Sequence, residues 1–152
     1  MAAGTVSFVS DNVPNRLIRH KNLLAELEVI ASELDQFDAS FKTLPSLSLS
    51  GSGSVSYESV NRQNHFLRHQ NFRLKLQPRP AAGPEQHQFD LDASFFVVPG
   101  VGGGSKNSLR SVNFHTRLWR HRDFHLFLDE EASLSNDAAR KDATFEIIDG
   151  KK

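Results

Sequence analysis

The sequence predicts an all-β chain folded as one domain, a β-trefoil of three pseudo-symmetric four-strand repeats. Three observations lead there. A set of short motifs recurs three times at a spacing of about 50 residues. The segments between the motifs alternate apolar and polar residues with the period of a strand. The length, 152 residues, leaves little room for a second domain, so residues 1–152 are read as one unit with repeats at about 5–47, 54–100 and 107–148.

The motif that sets the period is Arg-His followed by a polar residue: Arg19-His20-Lys21, Arg68-His69-Gln70 and Arg120-His121-Arg122, with the histidines 49 and then 52 residues apart. Eight residues before each His stands the Asn of a Ser-x-Asn segment, in Ser10-Asp11-Asn12, Ser59-Val60-Asn61 and Ser111-Val112-Asn113. Each repeat closes on Asp-Ala-Ser/Thr-Phe: Asp38 to Phe41, Asp92 to Phe95 and Asp142 to Phe145. Recurrence of so many positions in one order argues duplication of a single unit.

Within the second repeat, Val55–Ser59, Phe66–His69, Phe72–Leu76 and Ala93–Val98 read as four strands, which makes twelve for the chain. Phe72-Arg73-Leu74-Lys75-Leu76 and its counterpart Phe124-His125-Leu126-Phe127-Leu128 keep Phe and Leu in one parity, as a half-buried strand requires. One stretch competes: Leu23 to Leu34 is rich in helix formers, but the repeat register makes its first half a strand. The Ser/Gly-rich segment 46–54 and the four-glycine segment 100–107 read as surface connections. Pro78 to Pro84, with three prolines, reads as a loop. Leu17, Phe66 and Leu118, Leu27, Leu76 and Leu128, and Phe41, Phe95 and Phe145 occupy equivalent positions and are expected to meet around the pseudo-three-fold axis. Trp119 aligns with Ile18 and Leu67 and is read as core.

Composition narrows the function classes. With 18 basic and 18 acidic residues the chain lacks the positive field that drives nucleic-acid binding, and no apolar run approaches the length of a membrane span. The absence of cysteine removes disulfides, thiolate nucleophiles and cysteine-ligated metals. The seven histidines lack metal-ligand spacing, so neither metal nor cofactor is expected. The one candidate for a phosphate-cradling loop, Gly102-Gly103-Gly104-Ser105, has no following Gly-Lys-Ser/Thr and reads as a linker, and nothing argues for catalysis. Asp129-Glu130-Glu131 reads as a solvated charge run. The opening residues carry no secretory signal, which implies a cytoplasmic chain, or a secreted one if it is excised from a larger enzyme.

The matched residues, Ser-Val-Asn, then Leu/Trp-Arg-His-x-Asn/Asp-Phe, then Asp-Ala-Ser/Thr-Phe, resemble the arabinose-binding domain of α-L-arabinofuranosidase B, the family 42 carbohydrate-binding module, over about residues 5–148. The resemblance implies a β-trefoil without catalytic activity that takes arabinofuranose side chains of hemicellulose in shallow pockets, one per repeat. It also implies which residues form them: His20 with Asp38, His69 with Asp92, and His121 with Asp142. The chemistry suits that role, because an ionised carboxylate accepts hydrogen bonds from two neighbouring hydroxyls while an imidazole serves a third. This chain departs from the family beside the His, where an aromatic residue is common and Lys21, Gln70 and Arg122 stand instead. Two positions after each His, Asn22, Asn71 and Asp123 are candidates for a further polar contact.

The bland alternative is that His and Asp serve the fold alone, the Asp capping a turn and the His bonding a neighbouring loop. Arg19, Arg68 and Arg120 are expected to pair with carboxylates or lay their stems over the sheet. The first repeat departs most from the others, with Leu23 where they have Phe72 and Phe124, so if one pocket is degenerate it is expected to be the first. The sequence thus favours a carbohydrate partner engaged through up to three pockets. A protein-interaction or cytoskeleton-binding module without a sugar ligand is the alternative, and in it a protein partner replaces the glycan.

Overall fold

The computed structural model describes residues 4–48 and 53–152. Its strands run Thr5–Ser10 (β1), Leu17–Lys21 (β2), Leu24–Glu28 (β3), Phe41–Pro45 (β4), Val55–Ser59 (β5), His65–Gln70 (β6), Arg73–Pro78 (β7), Phe95–Pro99 (β8), Asn107–Ser111 (β9), Arg117–Arg122 (β10), His125–Glu130 (β11) and Phe145–Asp149 (β12). Among the described residues three short α-helices intervene, Glu33–Asp38 (α1), Pro84–Asp92 (α2) and Asp137–Lys141 (α3), each just before β4, β8 or β12.

The all-β reading holds, but the expected β-trefoil of three four-strand repeats is corrected to one closed antiparallel β-barrel. The hydrogen-bond ladders overturn the expectation. The first strand pairs with the last, from Val6↔Asp149 to Ser10↔Phe145, and β4 with β5 and β8 with β9 form equally long ladders across the supposed unit boundaries. The hairpins β2–β3, β6–β7 and β10–β11 are bridged to one another at Leu24↔Lys75, His125↔Glu26 and Phe127↔Arg73. Every described strand belongs to the same sheet, so no segment of about 50 residues stands as a unit. A motif period reports sequence duplication, whereas closure is decided by which edges find partners.

Alternation also sorts the expected core. Ile18, Leu67 and Trp119 point into the barrel with Leu27, Leu76, Leu128, Phe41, Phe95 and Phe145, and all nine are completely buried. Leu17, Phe66 and Leu118, one residue earlier on their strands, face the other way and do not join that cluster, contrary to expectation. Phe66 packs with Phe89 of α2 and Ala93, and Leu118 with Leu134 and Ala143, so two of the helices cover second, smaller cores outside the barrel. Aromatic rings fill the middle: Phe8, Tyr57 and Phe95 surround Trp119 at centroid distances of 5.0 to 5.8 Å.

The helices are absent from the sequence reading, yet each has a local cause. Ser32 caps α1 and forms a reciprocal box with Asp35, Pro84 opens α2 at its first turn, and the Asn136 side chain accepts from Ala139 N to start α3. In the disputed stretch Leu23 to Leu34, the first half is indeed β3. The Ser/Gly-rich connection at 46–54 lies partly outside the described residues. The acidic run Asp129-Glu130-Glu131 is not free surface, because these residues pair with Arg120, Arg117 and Arg110 respectively.

Candidate functional site

The strands and helices bring each expected His–Asp pair together. His20, His69 and His121 sit near the ends of β2, β6 and β10. Asp38 and Asp92 are the last residues of α1 and α2, and Asp142 is the C-terminal cap of α3. His Nε2 lies 3.4 Å from Asp38 Oδ1 and 3.5 Å from its counterparts in Asp92 and Asp142. A carboxylate at a helix C-terminus opposes the helix dipole, so it needs a cation nearby. The Arg before each His supplies it: Arg19 Nη2 donates to Asp38 and Arg68 Nη2 to Asp92, while Arg120 Nη2 donates to Asp142 Oδ2 at 3.0 Å. The guanidinium is itself held by the facing strand, by Glu28, Gln77 or Asp129. These arginines therefore pair with carboxylates, as the sequence suggested.

Sequence reasoning recorded the Ser-x-Asn segments but did not place them in the site. Asn61 Nδ2 donates to Asp38 Oδ1 at 2.7 Å, and the same bond joins Asn113 to Asp92 at 2.8 Å and Asn12 to Asp142 at 2.7 Å. Since the amide nitrogen faces the carboxylate, the amide oxygen faces the imidazole, 2.8 Å from Nε2 in all three places. A carbonyl oxygen only accepts, which makes Nε2 the protonated nitrogen of each His. Ser59 and Ser111 donate to the same amide oxygens, and their hydroxyls accept from the N–H three residues on, closing a tight turn. The Asn always comes from the segment after the His–Asp pair, and for the third site from the start of the chain. The fixed eight-residue Asn-to-His spacing was the available signal, but it concealed that the two residues serve different sites.

Burial pushes the pKa of His20, His69 and His121 below the ordinary histidine value, outweighing the opposing pull of the neighbouring Asp and, at His20 and His69, of the Asn hydrogen bond. Burial thus favours the neutral imidazole at each site. Each carboxylate gives one oxygen to the Arg and one to the Asn, and at Asp92 the Gln88 amide also donates to Oδ1. A carboxylate has about four acceptor sites, so it retains capacity for an incoming hydroxyl. Open clefts of about 510 and 490 Å³ adjoin the first and third sites, lined among others by His20, Asp38 and Asn61 and by His121, Asp123 and Asp142. The first site holds the complete Arg–Asp–Asn–His set.

Asn22, Asn71 and Asp123 take a different place. With Leu23, Phe72 and Phe124 they form the two-residue turns of the three hairpins, and all six have φ between 51° and 64°. A two-residue hairpin turn of this kind demands positive φ at both positions, which Asn and Asp accept at low cost. Asn22 and Asp123 line the clefts, but these side chains make no hydrogen bond to the His–Asp pairs. The bulky second residues are held there because their carbonyls accept across the hairpins, Leu23 from Leu76 N, Phe72 from Leu128 N and Phe124 from Leu27 N. Among the described residues no group of three or more His, Asp or Glu is placed to hold a metal ion. No described helix is long and apolar enough to cross a membrane.

The chain matches the model of the α-L-arabinofuranosidase B (ABFB) domain over residues 6–147. It is similar to a GH54 α-L-arabinofuranosidase soaked with a cyclic sulfate inhibitor, with a TM-score of 0.83 and 26% identity over 100% of this chain. An arabinofuranosidase complexed with arabinofuranosyl-α-1,2-xylobiose superposes with a TM-score of 0.82 and 26% identity over 99% of this chain. In both, the chain spans 32% of the other protein's length. A GlcNAcα1-4Gal-releasing endo-β-galactosidase from Clostridium perfringens shares the fold alone, with a TM-score of 0.69 at 8% identity, covering 96% of this chain and 32% of that one. No curated protein sequence matches the chain significantly. The matched length, together with the Ser-x-Asn, Arg-His and Asp-Ala motifs that build the three sites, establishes that this chain belongs to the α-L-arabinofuranosidase B domain family of carbohydrate-binding modules.

Proposed function

We propose that the chain is a non-catalytic module that binds arabinofuranose-type or related sugar side chains through up to three equivalent pockets, at His20 and Asp38, His69 and Asp92, and His121 and Asp142. The observation that carries this reading is the threefold Arg–Asp–Asn–His arrangement, with a carboxylate held by Arg and Asn and still able to accept hydroxyls. Preorganisation of this kind lowers the ordering cost of binding a small polar ligand. Asn22, Asn71 and Asp123, at the adjoining turns, supply further polar contacts at the rim. Individual pockets of this size bind weakly, and engagement of two or three on one branched polysaccharide raises avidity by about 10²–10⁴ where the geometry permits. The arrangement contains no group assigned to break a glycosidic bond, and a role as accessory module of a larger glycoside hydrolase accords with the length of the similar arabinofuranosidases.

Isothermal titration calorimetry with methyl α-L-arabinofuranoside and a branched arabinoxylan oligosaccharide tests the reading. Saturable heat is expected for the natural sequence, and loss of the corresponding stoichiometry in Asp92→Asn, a variant that keeps the shape of the carboxylate. Unchanged binding in that variant overturns the site assignment. No heat with either sugar from folded protein overturns the ligand assignment.

A further inference from the structure

The three sites differ where their walls meet the hairpin turns. The residue after each site Asn is Arg62 at the first site, Phe114 at the second and Val13 at the third, and the turn residue beside them is Leu23, Phe72 and Phe124. Only the second site combines two aromatics. Phe114 lies with its ring centroid 5.1 Å from the His69 ring and 5.8 Å from Phe72, which it meets edge to face. Both phenylalanines are large apolar side chains left exposed, Phe114 at 44% and Phe72 at 43%. Neither is loose. Phe72 is fixed in the left-handed region at φ 60° by the bond from Leu128 N to its carbonyl, and the Arg117 guanidinium covers one side of its ring at 3.7 Å. Phe114 follows Asn113, which is bonded to both His69 and Asp92, so its backbone is tied to the site.

We propose that Phe114 and Phe72 form a platform for a second sugar ring, so that the His69 site recognises a side-chain sugar together with the pyranose to which it is attached, while the other two recognise a single ring. The inference rests on the sugar-binding reading above and deepens it. A carboxylate and an imidazole orient hydroxyls but offer nothing to the C–H face of a sugar, whereas two rigid exposed phenyl rings beside them bury such a face without ordering cost. The His69 site is accordingly the strongest for branched oligosaccharides and no stronger than the others for a monosaccharide.

The test compares methyl α-L-arabinofuranoside with an arabinofuranosyl-xylobiose, by calorimetry, on the natural sequence and on Phe114→Ala. Phe114 is exposed, and urea denaturation checks that the variant stays folded. Phe114→Ala is expected to weaken the highest-affinity class for the oligosaccharide by about ten-fold, the order that burial of one ring face supplies, with the monosaccharide unchanged within about two-fold. Val13→Phe, made in a protein already carrying Asp92→Asn, is expected to create the pair with Phe124 at the third site and restore part of the oligosaccharide preference. Equal weakening for both ligands, or none for either, overturns the platform while leaving the sugar-binding reading intact. Absence of binding to either sugar by the natural sequence overturns the reading on which it rests.

Discussion

Asn61→Ala tests whether the amide clamp holds successive segments together. The side chain donates to Asp38 Oδ1 at 2.7 Å and accepts from His20 Nε2 at 2.8 Å and from Ser59 Oγ at 2.9 Å. A neutral hydrogen bond contributes about 1 kcal/mol net and one to a charged group about 1.5–3 kcal/mol, so the three together bound the loss at about 3.5–5 kcal/mol. Part is recovered. Ser59 Oγ is already 3.2 Å from His20 Nε2, and the open cleft lets water reach Asp38. The expected loss is therefore about 2–3 kcal/mol, read as a lower urea midpoint at pH 7.5 with an unchanged slope. Arg62→Ala, at the exposed residue next to it, is the control and is expected to stay within about 0.5 kcal/mol. If Asn61→Ala costs no more than the control, the amide is a bystander and the clamp is refuted.

Three further outcomes follow from the same geometry. The folded-state pKa values of His20, His69 and His121 lie below the unfolded value of 6.5, so between the two the unfolded chain binds more protons and stability falls as pH drops from 6.5 through the folded values. Urea midpoints should decline over that window, and His121→Gln should make the decline shallower. An equal slope in that variant assigns the acid sensitivity elsewhere. The buried Trp119 Nε1 hydrogen has no partner among the described residues, so Trp119→Phe removes an unsatisfied donor while leaving a small cavity. Its net effect should stay under about 1.5 kcal/mol, against about 3–5 for Trp119→Ala, by thermal denaturation. Gly150→Ala places a Cβ 2.3 Å from Thr5 Oγ1 and 2.8 Å from Thr5 Cβ, where the two ends of the chain meet, and should destabilise by about 1–3 kcal/mol; a neutral result means the β1–β12 closure yields easily.

What the sequence revealed and what it concealed divide along physical lines. Alternation identified the strands only in part: Leu74 and Leu76, and Leu126 and Leu128, are buried as their parity required, but Phe72 and Phe124, read as the first residues of those strands, sit exposed in the hairpin turns at positive φ. It failed for Leu17, Phe66 and Leu118, since being apolar does not say which side of a strand faces the barrel. The period of the Arg-His motif suggested self-contained repeats, whereas the ladders of β1 with β12 and β4 with β5 join them into one closed barrel. The helices were missed because α1 and α3 are too short to show a period, and their signals were single caps at Ser32 and Asn136. Each His–Asp pair was named from the family resemblance, which carries over directly because both members lie in one segment, 18 to 23 residues apart. Asn61, Asn113 and Asn12 could not be assigned, since each completes the pair of a different segment and only the fold brings them together.

The most direct test of the central claim uses the seven histidines as reporters. Imidazole nitrogen resonances are followed by NMR at pH 7 while methyl α-L-arabinofuranoside is titrated in. If sugar sits against the buried imidazoles, the signals of His20, His69 and His121 shift saturably with their Nε2 protonated, and those of His65, His87, His115 and His125 stay in place. Saturable binding that leaves the three site histidines unmoved, or that shifts one of the other four instead, contradicts the account.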